Sequence, residues 1–368
     1  MRKLVVCLLL AGLVLGISAT AQHAPGTFLQ QFLLSAQVVG LTSVGESLWG
    51  VSGTNLYEFD VKTGAVLQTL VHAAAGPYGL SYDQRRREFV MTQASPGTVS
   101  RVDMTGKVTT IFPCATTRPI GVAYDLTRDA YWVADWSANV LHLMNAQDGS
   151  ALQTPFSLSA SGCTRSADVG YSPYNDLLAI IGRDKNQAFL YQAGNPPVFV
   201  QAVTFGTSIS GGARGAHIHP RTQTLWTDSY STPYALFEFE LGLPRVIAAD
   251  SVPVGKALQI QWVAGNSAGL VYQGAASFTE YVRAIQFGNR YVPLAPDSLL
   301  FLSLGLPSVF VNFGGVLDSA GTAAGAVAIP NIPALRGIPF SLGLVTVSPS
   351  APMGIKDISG PWKVAITQ

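Results

Sequence analysis

Pro119-Ile120-Gly121-Val122-Ala123-Tyr124-Asp125 and Ala130-Tyr131-Trp132-Val133-Ala134-Asp135 are two apolar runs of strand length, set apart by a four-residue turn. The first run recurs 42 residues upstream as Pro77-Tyr78-Gly79-Leu80-Ser81-Tyr82-Asp83. Looser copies follow at Asp168-Val169-Gly170-Tyr171-Ser172-Pro173 and Gly215-Ala216-His217-Ile218-His219-Pro220, each 47 residues further along. Behind each copy lies a short apolar strand, at residues 88–92, 130–134, 177–181 and 224–227. A hairpin then follows: residues 56–69 align with residues 141–154 without a gap at an offset of 85, and residues 102–108 are a shorter copy. Alternating residues around an Asp/Asn-Gly turn are a hairpin signature. Residues 40–44 and 48–51 form the least regular first copy, which makes five units of four strands at the period of a propeller blade.

Within this pattern, Arg118 to Asp125, Ala130 to Asp135 and Asn139-Val140-Leu141-His142 resemble a blade of the NHL/YVTN-type β-propellers. Those blades read Pro-x-Gly-Ile-Ala-x-Asp, then Tyr-Val-Ala-Asp, then Asn-x-Ile. The resemblance spans about residues 40–245 and implies a fold more than a function, since such propellers serve as binding platforms, lyases and lactonases. A closing strand is also legible. Thr27-Phe28-Leu29-Gln30-Gln31-Phe32-Leu33 resembles the outer strand Ala65-Val66-Leu67-Gln68-Thr69-Leu70. As outer strand of the last blade it would hide an edge that otherwise invites aggregation.

The blade pattern ends near residues 245–249. Beyond it lie apolar, Gly/Pro-punctuated segments read as strands at residues 257–263, 269–272, 298–304, 309–312, 326–329, 340–347 and 362–366. That density suits a sandwich. Leu317-Asp318-Ser319-Ala320-Gly321-Thr322 and Gly337 to Val347 resemble the C-terminal sandwich modules of secreted bacterial proteins, which implies attachment or spacing. The expected fold class is all-β: a five-bladed propeller, with six blades as the alternative if residues 190–212 hide another, plus a C-terminal β-sandwich. The expected domains are a signal peptide at 1–21, the propeller at 22–248 and the sandwich at 249–368.

Composition narrows the function classes. Only 12% of residues are charged against 48% hydrophobic, which excludes a solvated disordered chain or a salt-bridged helical array. The net charge of +1 offers no electrostatic case for nucleic acid or an acidic membrane. Met1-Arg2-Lys3, the apolar run from Leu4 to Ile17 and Ala19-Thr20-Ala21 form a cleavable export signal, so a secreted, extracellular or periplasmic protein without a later membrane span is expected. Cys114 and Cys163 then remain, either bridging neighbouring blades as a disulfide or left as two free thiols.

Candidate sites are few. His217-Ile218-His219 places two imidazoles on one face of a strand, as metal ligands or a catalytic base would require, although no third ligand is apparent. Arg118, Arg165 and Arg214 each precede an innermost strand, so they would make one mouth of the channel positive and suit carboxylate or phosphate. The competing reading is loop arginines balanced by Asp83, Asp125 and Asp168. Trp136 follows its strand in a turn and is the tryptophan expected to be exposed. Asp135 and Asp228 occupy matching positions and are read as acceptors for backbone amides. The Glu, Asn and Asp set of the calcium-dependent lactonase propellers has no assignable equivalent. No cofactor is implied. The resulting expectation is an exported, monomeric, non-catalytic platform for a protein or glycan, with the sandwich as spacer or attachment module. The alternative is a propeller lyase or hydrolase working around His217 and His219.

Overall fold

The computed structural model describes residues 23–74, 76–114, 116–280 and 285–368. The signal-peptide segment at 1–21 lies outside them. Residues 28–239 form five four-stranded antiparallel sheets. In chain order from inner to outer strand, the first comprises Leu41–Val44, Ser47–Ser52, Asn55–Phe59 and Val66–Val71. The second runs from Pro77–Asp83 to Val108–Pro113, the third from Pro119–Asp125 to Phe156–Ser157, and the fourth from Ser166–Ser172 to Val198–Thr204. The stretch at 190–212 supplies the outer strands of the fourth sheet, not a further blade. The fifth contains His217–Ile218, Leu225–Asp228 and Ala235–Phe239, and its outer strand is the N-terminal Phe28–Leu33.

Closure therefore joins the two ends of the repeat region. Phe28–Leu33 pairs antiparallel with Ala235–Phe239, Phe32 stacks on Trp226 with ring centroids 6.0 Å apart, and Gln30 Nε2 donates to Glu238 Oε2 at 2.5 Å. The inner strands touch in cyclic order, first to second through fifth and back to first. Between neighbouring sheets the alternating apolar residues make separate cores, with Trp49, Trp132 and Trp226 fully buried.

Glycine lets these strands approach. A Cβ added at Gly79 would lie 2.7 Å from Ile120 O, and one at Gly121 would lie 2.5 Å from the Asp168 Cα. Both obstacles are backbone of the next blade and cannot swing aside. The Pro-x-Gly spacing of the repeat thus marks the place where one inner strand presses on its neighbour.

Residues 245–366 fold into two facing sheets. One contains Arg245–Ala248, Ala257–Val263, Thr322–Ala328 and Phe310–Val311. The other is built on Val271–Ser277, Pro339–Val347 and Trp362–Thr367, with Ser251–Pro253, Gly314–Val316 and Ile355–Ile358 added. Trp262, Ile260, Phe313, Phe340, Leu342 and Val364 share the core between them. Arg245–Ala248 pairs with Ala257–Val263, so this strand belongs to the C-terminal unit and the change of sheet precedes the expected boundary at 248.

One expected strand is a helix. Ser298–Gly305 is α-helical because the Asp297 carboxylate caps it, with Oδ1 accepting from Leu299 N at 3.0 Å and Leu300 N at 3.1 Å. The run Ser-Leu-Leu-Phe-Leu-Ser-Leu holds no β-branched residue, so nothing local opposes the helix. No helix among the described residues is long and apolar enough to cross a membrane.

The C-terminal unit packs on the ring at the exit ends of the inner strands. Tyr174 shares a core with Val292, Leu294, Leu300 and Ile358, and Arg221 lies over the Trp362 ring at 3.8 Å. Arg221 also pairs with Glu46 at 3.1 Å and with Asp250, to which Lys62 is joined as well.

Two stability outcomes follow from closure and close approach. Gly121→Ala is expected to cost about 1–3 kcal/mol, as overpacking against fixed backbone does, read by urea unfolding; an unchanged midpoint would show that the strands have room. Deleting residues 22–34 strips the outer strand from Ala235–Phe239 and leaves backbone groups that cost about 1–3 kcal/mol each if buried without partners. Its thermal midpoint should fall far more than for an ordinary terminal trim, and an unchanged midpoint would mean that the ring closes without this strand.

Candidate functional site

The repeat places two rim positions side by side in each blade. Trp136 N donates to Arg118 O at 3.1 Å in the third sheet, Arg183 N to Arg165 O at 3.1 Å in the fourth, and Tyr230 N to Gly212 O at 3.2 Å in the fifth. One rim residue precedes the inner strand and the other follows the second strand. The expected residues Arg118, Arg165, Arg214 and Trp136 are all brought to this mouth, together with Arg183, Tyr230 and Tyr78.

They form a chain of cation–π contacts across four blades. The guanidinium carbons of Arg118, Arg165 and Arg183 lie 5.8, 5.8 and 5.2 Å from the centre of the Trp136 ring. Arg183 also lies 4.4 Å from the Tyr230 ring, and Arg214 lies over Tyr230 at 3.7 Å and Tyr78 at 5.7 Å. Such contacts contribute about 0.5–1 kcal/mol each when exposed, and more when desolvated. Arg118, Arg183 and Arg214 border a cavity of about 120 Å³.

Charge at the mouth is unbalanced. Arg165 pairs with Asp184 at 3.4 Å, but among the described residues no carboxylate lies within ion-pair distance of Arg118, Arg183 or Arg214. Burial pulls the Arg214 guanidinium below the usual arginine range, and neighbouring Arg183 adds to this.

The aspartates expected to balance these arginines do not. Asp83 and Asp125 sit at the far ends of their strands. There Arg86 bridges Asp83 at 2.8 Å to Asp129 of the next blade at 2.7 Å, and Arg128 bridges Asp125 to Asp176, both at 2.7 Å. Arg86 holds the Asp129 carboxyl down at about 2. Asp168 is buried on the axis, where it accepts from Val122 N at 3.1 Å, Val169 N at 2.8 Å and Ala216 N at 3.0 Å, and so ties three blades together.

Asp135 behaves as read: Oδ1 accepts from Ser137 N at 2.7 Å and Ala138 N at 2.9 Å, and Oδ2 from Thr117 N at 3.0 Å. Asp228 differs. Its Oδ1 accepts from Gly215 N at 2.6 Å, its Oδ2 has no hydrogen-bond partner, and burial raises its carboxyl to about 8.

The two histidines open onto different cavities. The regular strand ends at Ile218, and the His217 and His219 rings are 6.3 Å apart at 83°. His217 lines a cavity of about 50 Å³ on the axis, while His219 lines one of about 450 Å³ between ring and C-terminal unit. Thr222 N donates to His219 Nδ1 at 3.4 Å. Burial lowers the pKa of both rings, His219 to about 4. Among the described residues no group of three or more His, Cys, Asp or Glu side chains is placed to hold a metal ion.

The cysteines are not joined. Both are buried in different inter-blade cores, Cys114 with its Sγ 3.3 Å from Met144 Sδ and Cys163 with its Sγ 3.8 Å from Asn139 Oδ1. Burial pushes each thiol up to about 11.

Arg183 and Tyr230 are absent from the sequence reading because neither lies in a repeated motif. The available signal was positional: Gly182 ends the second strand of its blade as Asp135 does, which makes Arg183 the equivalent of Trp136.

No protein family matches the chain, and no curated protein matches it in sequence. Solved structures similar to it include a streptogramin B lyase, at 14% identity over 55% of this chain and 65% of that one, with a TM-score of 0.37. A catalytically inactive virginiamycin B lyase from Staphylococcus aureus with quinupristin is similar at 14% identity over 55% and 66%, with a TM-score of 0.37. A chain of a nidogen/laminin complex matches at 12% identity over 52% and 72%, with a TM-score of 0.38. The chain spans about two thirds of the length of the two lyases.

The buried carboxyl at the mouth gives a pH signature. A carboxyl whose folded pKa is raised leaves the native state holding more protons than the unfolded chain, so stability falls as pH rises from the unfolded value to the folded one. Asp228→Asn keeps the acceptor for Gly215 N and removes this penalty. The melting-temperature advantage of the variant over wild type should grow from pH 5 (about one unit above the free carboxyl) to about 8 and then level off. A gap that does not vary with pH would mean that Asp228 is ionised throughout.

Proposed function

We propose that the protein is an exported, non-catalytic binding platform that presents the arginine–aromatic mouth of its ring to an acidic protein or glycan. The observation that carries this reading is the convergence of Arg118, Arg183 and Arg214 on Trp136 and Tyr230 with no carboxylate in ion-pair reach among the described residues. Aromatic and arginine side chains dominate binding energetics because they combine buried area with directed donors. The C-terminal unit, docked at the other end of the ring, acts as spacer or attachment module. The leader at 1–21 directs the chain to the periplasm or the outside of the cell.

A lyase or hydrolase reading has less to stand on. His217 faces an axial cavity of about 50 Å³, too small for most substrates, and His219 faces a different cavity, where its Nδ1 is engaged by Thr222. An acid–base pair must lie within reach of one reacting group.

Panning a peptide display library and a glycan array with the full chain and with a Trp136→Ala/Arg214→Ala variant tests the proposal. Acidic binders are expected for wild type, lost in the variant, and recovered from wild type with unchanged mass. Binders that ignore the double variant, or ligands returned chemically altered unless His217 is replaced by alanine, would overturn it.

A further inference from the structure

We infer that the mouth is an oxyanion site, at which Arg118, Arg183 and Arg214 grip a single phosphate or sulfate ester group projecting from the partner. This rests on the mouth being the docking face and names the chemistry recognised there.

Three features select that chemistry. The first is the number of donors and their direction. The three guanidinium groups come from the third, fourth and fifth sheets, so they approach the cavity from different sides. A carboxylate offers two oxygens, which one bidentate arginine satisfies. A monoester of phosphate or sulfate offers three terminal oxygens, one for each guanidinium.

The second is size. A cavity of about 120 Å³ holds one such group with a few waters, but not a nucleotide or a saccharide ring with its substituents. The remainder of the ligand must lie outside, which fits a group carried on a larger partner.

The third is what holds the arginines. Arg183 lies between the Trp136 and Tyr230 rings, and Arg214 lies on Tyr230. An aromatic face orients a guanidinium and leaves its in-plane donors for another acceptor; Arg183 gives its Nε–H to Gly211 O at 3.4 Å and keeps its terminal nitrogens. Neighbouring acids do not compete: Asp135 is saturated by backbone amides, and Asp228 accepts from Gly215 N and is held largely protonated by burial. Partially buried cations held together without an acid are electrostatically unfavourable until an anion arrives.

The test is a titration of the purified full chain with inorganic phosphate, inorganic sulfate and acetate at constant ionic strength, read by melting temperature and tryptophan fluorescence. Phosphate or sulfate should give a saturable response in the millimolar range, and acetate none. Preference for phosphate assigns a phosphorylated partner, and preference for sulfate a sulfated one. Arg183→Gln and Arg214→Gln should each weaken the response about tenfold or more, as loss of one charge-assisted contact does. Arg118→Gln, at an exposed position, provides the same readout if the other two variants fold poorly, and Arg336→Gln, away from the mouth, should respond like wild type. No saturable response, an equal response to acetate, or a response retained in all three mouth variants would overturn the inference. If the response is absent while acidic binders still require Trp136 and Arg214, the oxyanion site falls and the platform stands. If the response is present but no binder depends on the mouth, the platform falls and the site stands.

Discussion

The structure depends on backbone touching backbone at the inner strands. Cβ atoms built at Gly40, Gly79, Gly121 and Gly170 would each meet the next blade's main chain at 2.5–3.0 Å, so a side chain at these points would force the ring open. In the fifth blade the residue aligned with Gly121 is Gly215, where an added Cβ would meet Asp228 Oδ1 at 2.3 Å and the Leu41 side chain at 2.9 Å. The pairing register slips between Pro77 and Leu80, between Pro119 and Gly121, and between Ser166 and Asp168. A bulge bends its strand and re-aims the residues beside it, here turning the entry end of each inner strand toward the axis.

The two ends of the ring use arginine in opposite ways. At the exit end Arg86 and Arg128 each bridge an aspartate of their own blade to one of the next, and Arg221 joins the ring to the C-terminal unit. These cations are paired, and the C-terminal unit covers that face. At the entry end Arg118, Arg183 and Arg214 have aromatic neighbours instead of acids. Exposed ion pairs contribute little to stability on their own; the half-buried bridges at the exit end matter through geometry, because each couples neighbouring blades. The entry arginines are held by aromatic rings and, for Arg183, by one bond from Nε to Gly211 O, with no carboxylate in ion-pair reach among the described residues.

What was legible in the sequence followed from repetition. The strand positions, the closing role of residues 28–33 and the convergence of Arg118, Arg165 and Arg214 all come from aligning copies, since equivalent positions in a ring of repeats are equivalent in space. Where no copy existed the reading faltered. Residues 298–305 form an uninterrupted apolar run, for which strand and buried helix look alike, and the Asp297 cap decided between them. His217 and His219 stand in ring contact at 6.3 Å, yet line different cavities, which repetition alone could not show. Cys114 and Cys163 were offered as a bridge between neighbouring blades, yet they lie in different inter-blade cores as free thiols. Arg183 and Tyr230 lie in turns with no shared residue identity, so position after the second strand was the one sequence signal, and their backbone hydrogen bonds confirm them as counterparts of Trp136.

The bulges also connect ring closure to the charge at the mouth. A bulge leaves amides outside the regular ladder, and a buried amide without an acceptor is costly. The nearby carboxylates meet this need: Asp168 takes amides from three blades, Asp135 takes those of residues 117, 137 and 138, and Asp228 takes that of Gly215. Each aspartate so engaged is withdrawn from pairing with the rim arginines. The pressing of glycine against backbone that shuts the ring therefore bends the strands, the bends free the amides, and the amides occupy the acids. Guanidinium groups without counterions are what remain at the rim, in the position from which a partner's anionic group can be reached.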